Sequence, residues 1–171
     1  LGNNKAVDIE FFVDKSIIRV RGVHCKEPKK EITYERFVKN GILGFINSTD
    51  WFIPEYYRSF YNWYYNIENT IDVVMGDFNP KDNGKVEFMN NILKEKEYSF
   101  YPSGDVNTTR KIRSGYCAQY NKFWKASCVC KDMVVLGNEY INDCIVFPES
   151  SQLLTNEWLG DHSCVIVNID I

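Results

Sequence analysis

Two stretches place acid, amide and imidazole groups where apolar runs end or begin. In "IDVVMGDFNP" the run through Val73, Val74 and Met75 stops at a glycine and presents Asp77 and Asn79 on either side of Phe78. In "WLGDHSCVIVNI", Asp161 and His162 stand directly before another apolar, β-rich run. A carboxylate so placed can take a metal ion or orient an imidazole, and the imidazole can donate to a developing oxyanion. Residues i and i+2 of a strand share a side, so Asp77 and Asn79 meet if the extended conformation persists through Phe78. The same Gly, Asp, Asn and Pro content equally describes a strand running into a turn. Two further residues join the set: Asp132, opening the apolar run of "CKDMVVLG", and His24, closing "IIRVRGVH". A lone histidine is also commonly a strand cap or a core residue, and Asp132 has a second reading as a solvated residue at a strand start.

The elements that must position these groups are legible in outline. Residues 6–13, "AVDIEFFV", and 17–24 read as two strands around a turn at Asp14-Lys15-Ser16, with Ile18, Val20, Gly22 and His24 on one face of the second. A helix is expected from Tyr34 to about Gly44. Another spans residues 55–67, where Tyr56, Phe60, Trp63 and Ile67 repeat at helical spacing, a stripe suited to core packing. The strand "IDVVMGD" follows, then a helix over about 85–96. Residues 97–127 read as irregular, and "SCVCKDMVVLG", "CIVFP" and "SCVIVNIDI" read as three closing strands. No repeat, low-complexity tract or linker interrupts the chain, so residues 1–171 are read as a single domain of the α/β or α+β class.

Composition narrows the function classes. The chain has 171 residues, 44% of them hydrophobic, enough for one substantial core. A net charge of −3 gives no general basic field of the kind that advertises nucleic-acid binding, although a few Lys and Arg can still grip phosphates locally. No apolar run reaches membrane-spanning length, so no membrane span is expected. Cys25, Cys117, Cys128, Cys130, Cys144 and Cys164 are scattered and are read as reduced, buried thiols rather than a disulfide framework. The stretch "TTRKIRSGYCAQYNKFWKAS" interleaves Arg110, Lys111, Arg113, Lys122 and Lys125 with Tyr116, Tyr120, Phe123 and Trp124. Such a mix suits contact with phosphates and stacking on bases, and equally suits an ordinary surface loop.

Gly76-Asp77-Phe78-Asn79, Lys131-Asp132-Met133-Val134 and Gly160-Asp161-His162 together resemble the endonuclease/exonuclease/phosphatase superfamily, the DNase I-like fold. Members carry "GDxN" at a strand end, an "RIDY"-like strand and "SDH" before the last strand, in this order. "VRGVHCK", with His24, is similar to the family's strand that ends in histidine. Arg58 matches a position where the family often has arginine, and Thr108 or Thr109 corresponds to a threonine before the "RID" strand. Gly160 for Ser and "KDM" for "RID" depart from the pattern but spare the Asp and His.

The resemblance implies a four-layer αββα sandwich of which this chain is the C-terminal portion, with the family's first strand and main metal-binding glutamate absent. It implies a Mg²⁺- or Mn²⁺-dependent phosphodiester hydrolase, foremost a nuclease, with Asp77, Asn79, Asp161, His162, His24 and Asp132 as catalytic residues. Asp161 and Asp77 are the metal candidates, and Asn79 and Arg58 the substrate-binding ones. The expected partners are nucleic acid or another phosphodiester, and a complementary N-terminal segment or partner chain that covers the sheet near residues 1–24. The alternatives are a phospholipid or inositol-phosphate phosphodiesterase, and a non-catalytic structural or assembly protein that keeps the fold.

Overall fold

A computed structural model describes residues 5–25, 69–80, 82–94, 97–112, 126–155 and 158–171. The expected helices at 34–44 and 55–67, Arg58, Cys117, and the basic and aromatic residues of 113–125 lie outside the described residues. Those described form a mixed α+β structure of nine strands, one α-helix and one 3-10 turn. They are β1 (Lys5–Val13), β2 (Ser16–His24), β3 (Asn69–Asp77), α1 (Asn83–Lys94), β4 (Tyr98–Tyr101), β5 (Thr109–Ile112), β6 (Ala126–Val129), β7 (Asp132–Gly137), β8 (Ile141–Phe147) and β9 (Cys164–Ile169).

A five-stranded sheet in the order β1-β2-β3-β7-β4 is the backbone of the structure. β1 and β2 form a hairpin, β2 and β3 run parallel, and β7 is antiparallel to both β3 and β4. Alternation along the central strands sends two sets of side chains to opposite faces. Val23, Val74, Met133 and Val135 join Val86, Met89 and Leu93 of α1 in one core cluster. Ile18, Ile71, Val73, Val134 and Leu136 form the other cluster, against which Ile141, Val165, Val167 and Ile169 of β8 and β9 pack. The described layers are therefore helix, sheet and β-ribbon. The four-layer sandwich is not shown: among the described residues there is one α-helix, and β5-β6 and β8-β9 are separate two-stranded ribbons. No helix among them is long and apolar enough to cross a membrane.

Local chemistry explains the element boundaries. α1 starts two residues earlier than expected because the Asp82 side chain accepts a hydrogen bond from Lys85 N at 3.1 Å, the geometry of an N-cap. Gly76 has φ +134°, and a Cβ there would stand 2.1 Å from the Val23 carbonyl oxygen, so only glycine lets β2 and β3 approach this closely. The region expected to be irregular contains β4 and β5. Four-residue strands are too short to show a period, and their pairing partners, β7 and β6, lie far along the chain. The run "SCVCKDMVVLG", expected as one strand, is broken at Cys130-Lys131, and β6 and β7 belong to different sheets.

β1 is one of the sheet's two outer strands. Its ribbon-facing side chains Val7, Ile9 and Phe11 are 61%, 48% and 48% exposed, an unusual surface for a five-stranded sheet. Beside them an apolar cavity of about 240 Å³ opens between Phe11, Val20, Met75 and the inner residues of β9.

Candidate metal and phosphate site

Strand register assembles the site. On the ribbon-facing side, Ile18 pairs with Ile71, Val20 with Val73, and Gly22 with Met75, which in turn pairs with Val134. The next row is polar: His24 of β2 pairs with Asp77 of β3, and Asp77 pairs with Asp132 of β7. Three strands thus end an apolar face with one row of imidazole and carboxylates at the carboxyl ends of the parallel pair, where open sheets commonly place ligands. His162 comes to the same rim from the segment before β9. Thr109 bridges His162, Arg110 N donates to the Asp161 carbonyl at 3.0 Å, and Ser163 N donates to the Thr108 carbonyl at 2.7 Å.

One ligand atom from each of Asp77, Asp132 and His162 lies within 4.8 Å of the others. His162 Nδ1 is 2.7 Å from Asp132 Oδ2, which leaves Nε2 as the outward nitrogen. His24 Nε2 is 3.8 Å from Asp77 Oδ2, with its side chain 66% exposed. Asp161, expected as a metal ligand, is not part of the three-residue group. It is 63% exposed, and its Oδ1 lies 4.0 Å from His162 Nε2. Burial pushes the Asp132 carboxyl above the ordinary carboxylate range. The His162 imidazole, by charge and by hydrogen bond, pulls it back, Asp77 raises it again, and the Thr108 hydroxyl lowers it.

Asp77 and Asn79 do meet, but through a turn. β3 ends at Asp77, Phe78 is fully buried, and Asn79 has φ +48°. Asparagine tolerates this left-handed conformation. It folds Asn79 back so that its backbone N–H donates to Asp77 Oδ1 at 2.7 Å and its Nδ2 to Asp77 Oδ2 at 2.9 Å. Phe78 pins the turn from the other side, edge-on to Phe100 with ring centroids 5.0 Å apart.

Two supporting residues were not singled out as site residues by sequence. Thr108 Oγ1 accepts from both Lys131 N and Asp132 N at 2.8 Å, which places Thr108 rather than Thr109 at the site and sets the start of β7. Thr109 instead donates its hydroxyl to the Val129 carbonyl. Lys131 Nζ donates to Asn79 Oδ1 at 2.7 Å; its place before Asp132, where the family's motif has arginine, was the available signal. Arg110, considered for phosphate contact, donates to the Ser151 and Leu153 carbonyls at 2.6 and 3.0 Å and so anchors that loop.

Two carboxylates side by side with an imidazole suit a hard divalent cation. Mg²⁺ is normally held by one or two carboxylates plus water, and Mn²⁺ also accepts imidazole. The chemistry of Asp77 and Asp132 fits that requirement, with His162 at its edge. No protein-family model matches this chain, and no curated protein matches it.

Proposed function

We propose that the chain supplies the Asp/Asn/His portion of the active site of a Mg²⁺- or Mn²⁺-dependent phosphodiester hydrolase, foremost a nuclease. The observation that carries the reading is the approach of Asp77, Asp132 and His162, remote in sequence, to within 4.8 Å. The reading includes the two-sheet, four-layer sandwich expected from the motifs. The described helix, sheet and ribbon would be three of its layers.

In this reading the residues divide the work. Asp132 accepts from His162 Nδ1, so that Nε2 faces the phosphate; the doubly protonated ring donates from Nε2 to a non-bridging oxygen as negative charge builds there. Asp77 orients the attacking water and accepts its proton. Asn79 holds the Asp77 carboxylate in place by two hydrogen bonds, and His24 adds a proton donor on its other flank. A cation held by Asp77 and Asp132 would supply charge neutralisation at the phosphate. Water oxygen bonds to phosphorus, and the bond from phosphorus to the leaving oxygen breaks. A further segment or partner chain would lie over Val7, Ile9 and Phe11 and complete the ligand set. Those exposed apolar side chains favour such a cover.

The test is a plasmid-nicking assay of the full-length or reconstituted protein with Mg²⁺ and with EDTA, alongside Asp132→Ala and His162→Ala. Metal-dependent nicking lost in both variants is expected. A wild-type protein that cleaves neither DNA, RNA nor phospholipid would return the chain to the scaffold reading.

A further inference from the structure

The side chain of Asn79 has two N–H donors and one carbonyl acceptor, and all three are engaged. Nδ2 donates to the Cys25 carbonyl at 2.8 Å and to Asp77 Oδ2 at 2.9 Å, while Oδ1 accepts from Lys131 Nζ at 2.7 Å. The partners fix which end of the amide is which. A carbonyl and a carboxylate only accept, and an ammonium only donates. An amide committed in this way has no N–H left for a phosphate oxygen, so the substrate-binding part expected of Asn79 needs another donor. Lys131 has one at the same place. Its ammonium carries three N–H groups and gives one to Asn79. Its main chain is fixed on both sides, since Lys131 N donates to Thr108 Oγ1 at 2.8 Å and Lys131 O accepts from Phe78 N at 2.9 Å. The residue is half-buried and directly precedes Asp132.

We propose that Lys131 is the anion-binding residue of this site: its ammonium, held beside the carboxylates by Asn79, binds a non-bridging oxygen of the substrate phosphodiester. The inference rests on the phosphodiesterase reading above. An anion approaching Asp77 and Asp132 is repelled by both, and a fixed cation one amide away offsets that repulsion in the ground state as well as during reaction. Lys131 therefore acts chiefly on substrate binding, whereas His162 acts on the chemical step.

The test compares wild type, Lys131→Met and Lys131→Arg, each checked for folding by circular dichroism, with bis(p-nitrophenyl) phosphate as the probe. Loss of a hydrogen bond from a charged group predicts a KM raised roughly tenfold or more in Lys131→Met, with kcat within about threefold of wild type and Lys131→Arg in between. An unchanged KM with a reduced kcat, or Met and Arg variants that behave alike, would overturn the inference while leaving the hydrolase reading standing. If the wild type hydrolyses nothing, calorimetric titration with inorganic phosphate in EDTA decides. Saturable binding weakened about tenfold in Lys131→Met upholds the anion site without catalysis, and absent or unaltered binding overturns it.

Discussion

His162 Nδ1 bonds to the Asp132 carboxylate at 2.7 Å, and that contact, rather than one with its sequence neighbour Asp161, orients the ring. The two side chains therefore act as a unit. Asp132→Asn keeps the shape but offers the ring a neutral amide, which no longer balances the charge of the doubly protonated ring that donates from Nε2. A fall of about 10²-fold or more in kcat is expected, with KM little changed. His162→Ala should lose a similar amount. The double variant should lose little more than either single one, because residues that act together are non-additive. Steady-state rates of the three proteins check this. Asp161→Ala, by contrast, should retain most of the activity.

Metal binding should be visible without catalysis. A cation that binds only the folded chain raises its stability by about 2.7 kcal/mol at a hundredfold excess over Kd. Thermal unfolding with increasing Mn²⁺ or Mg²⁺ should therefore show a concentration-dependent rise in Tm. Asp77→Asn and Asp132→Asn should each abolish most of it. An equal rise in both variants would place the cation elsewhere.

Gly76 tests the register on which the polar row depends. With φ +134° and the Val23 carbonyl 2.1 Å from a would-be Cβ, Gly76→Ala combines backbone strain with an overlap that must move β2 or β3. Strain and overpacking together should cost about 2–5 kcal/mol. Because His24 and Asp77 are paired one step further along the same ladder, the variant should lose metal-dependent stabilisation beyond its loss of fold stability. Urea unfolding with and without Mn²⁺ separates the two effects.

What sequence could and could not say about this site follows from the range of the interactions. β1, β2, β3 and β9 are long enough for their alternation or apolar runs to be read locally, and glycine marks the end of β3. The residues of "GDFN" and "DH" were expected in one catalytic set, and the structure brings His162 to the Asp132 carboxylate beside Asp77. Which carboxylate meets the ring was not legible. Asp161 is adjacent in sequence, but adjacent residues of an extended chain point apart, while Asp132 arrives through the pairing of β3 with β7. The turn at Asn79 was one of two readings left open, because a polar side chain can reach i−2 either along a strand or by a left-handed residue, and sequence does not choose. The role of Lys131 and the choice of Thr108 over Thr109 stayed hidden because they consist of contacts with residues 52 and 24 positions away.

The buried thiols give a prediction on pH. Among the described residues Cys25, Cys128, Cys130, Cys144 and Cys164 are free thiols, and Cys25 and Cys130 are 1% and 0% exposed. Burial, with Asp77 adding to it, pushes the Cys25 thiol from 9.0 to about 12. Burial, with a further contribution from Asp132, does the same for Cys130. Both thiols stay protonated in the folded chain while the unfolded chain ionises above pH 9. The unfolded state then binds fewer protons, so stability is intact below about pH 9 and falls as pH rises toward 12. Each thiol should remove about 1.4 kcal/mol by pH 10. Urea titrations at pH 8 and pH 10 measure the loss, and Cys25→Ala should diminish it relative to wild type even though the substitution itself lowers stability at both pH values. In the folded protein at pH 8, iodoacetamide should label exposed Cys164 and spare Cys25 and Cys130. Rapid alkylation of Cys25 would mean that the floor of the Asp77–Asn79 turn opens in solution, and with it the hydrogen bond from Asn79 to the Cys25 carbonyl that holds the turn down.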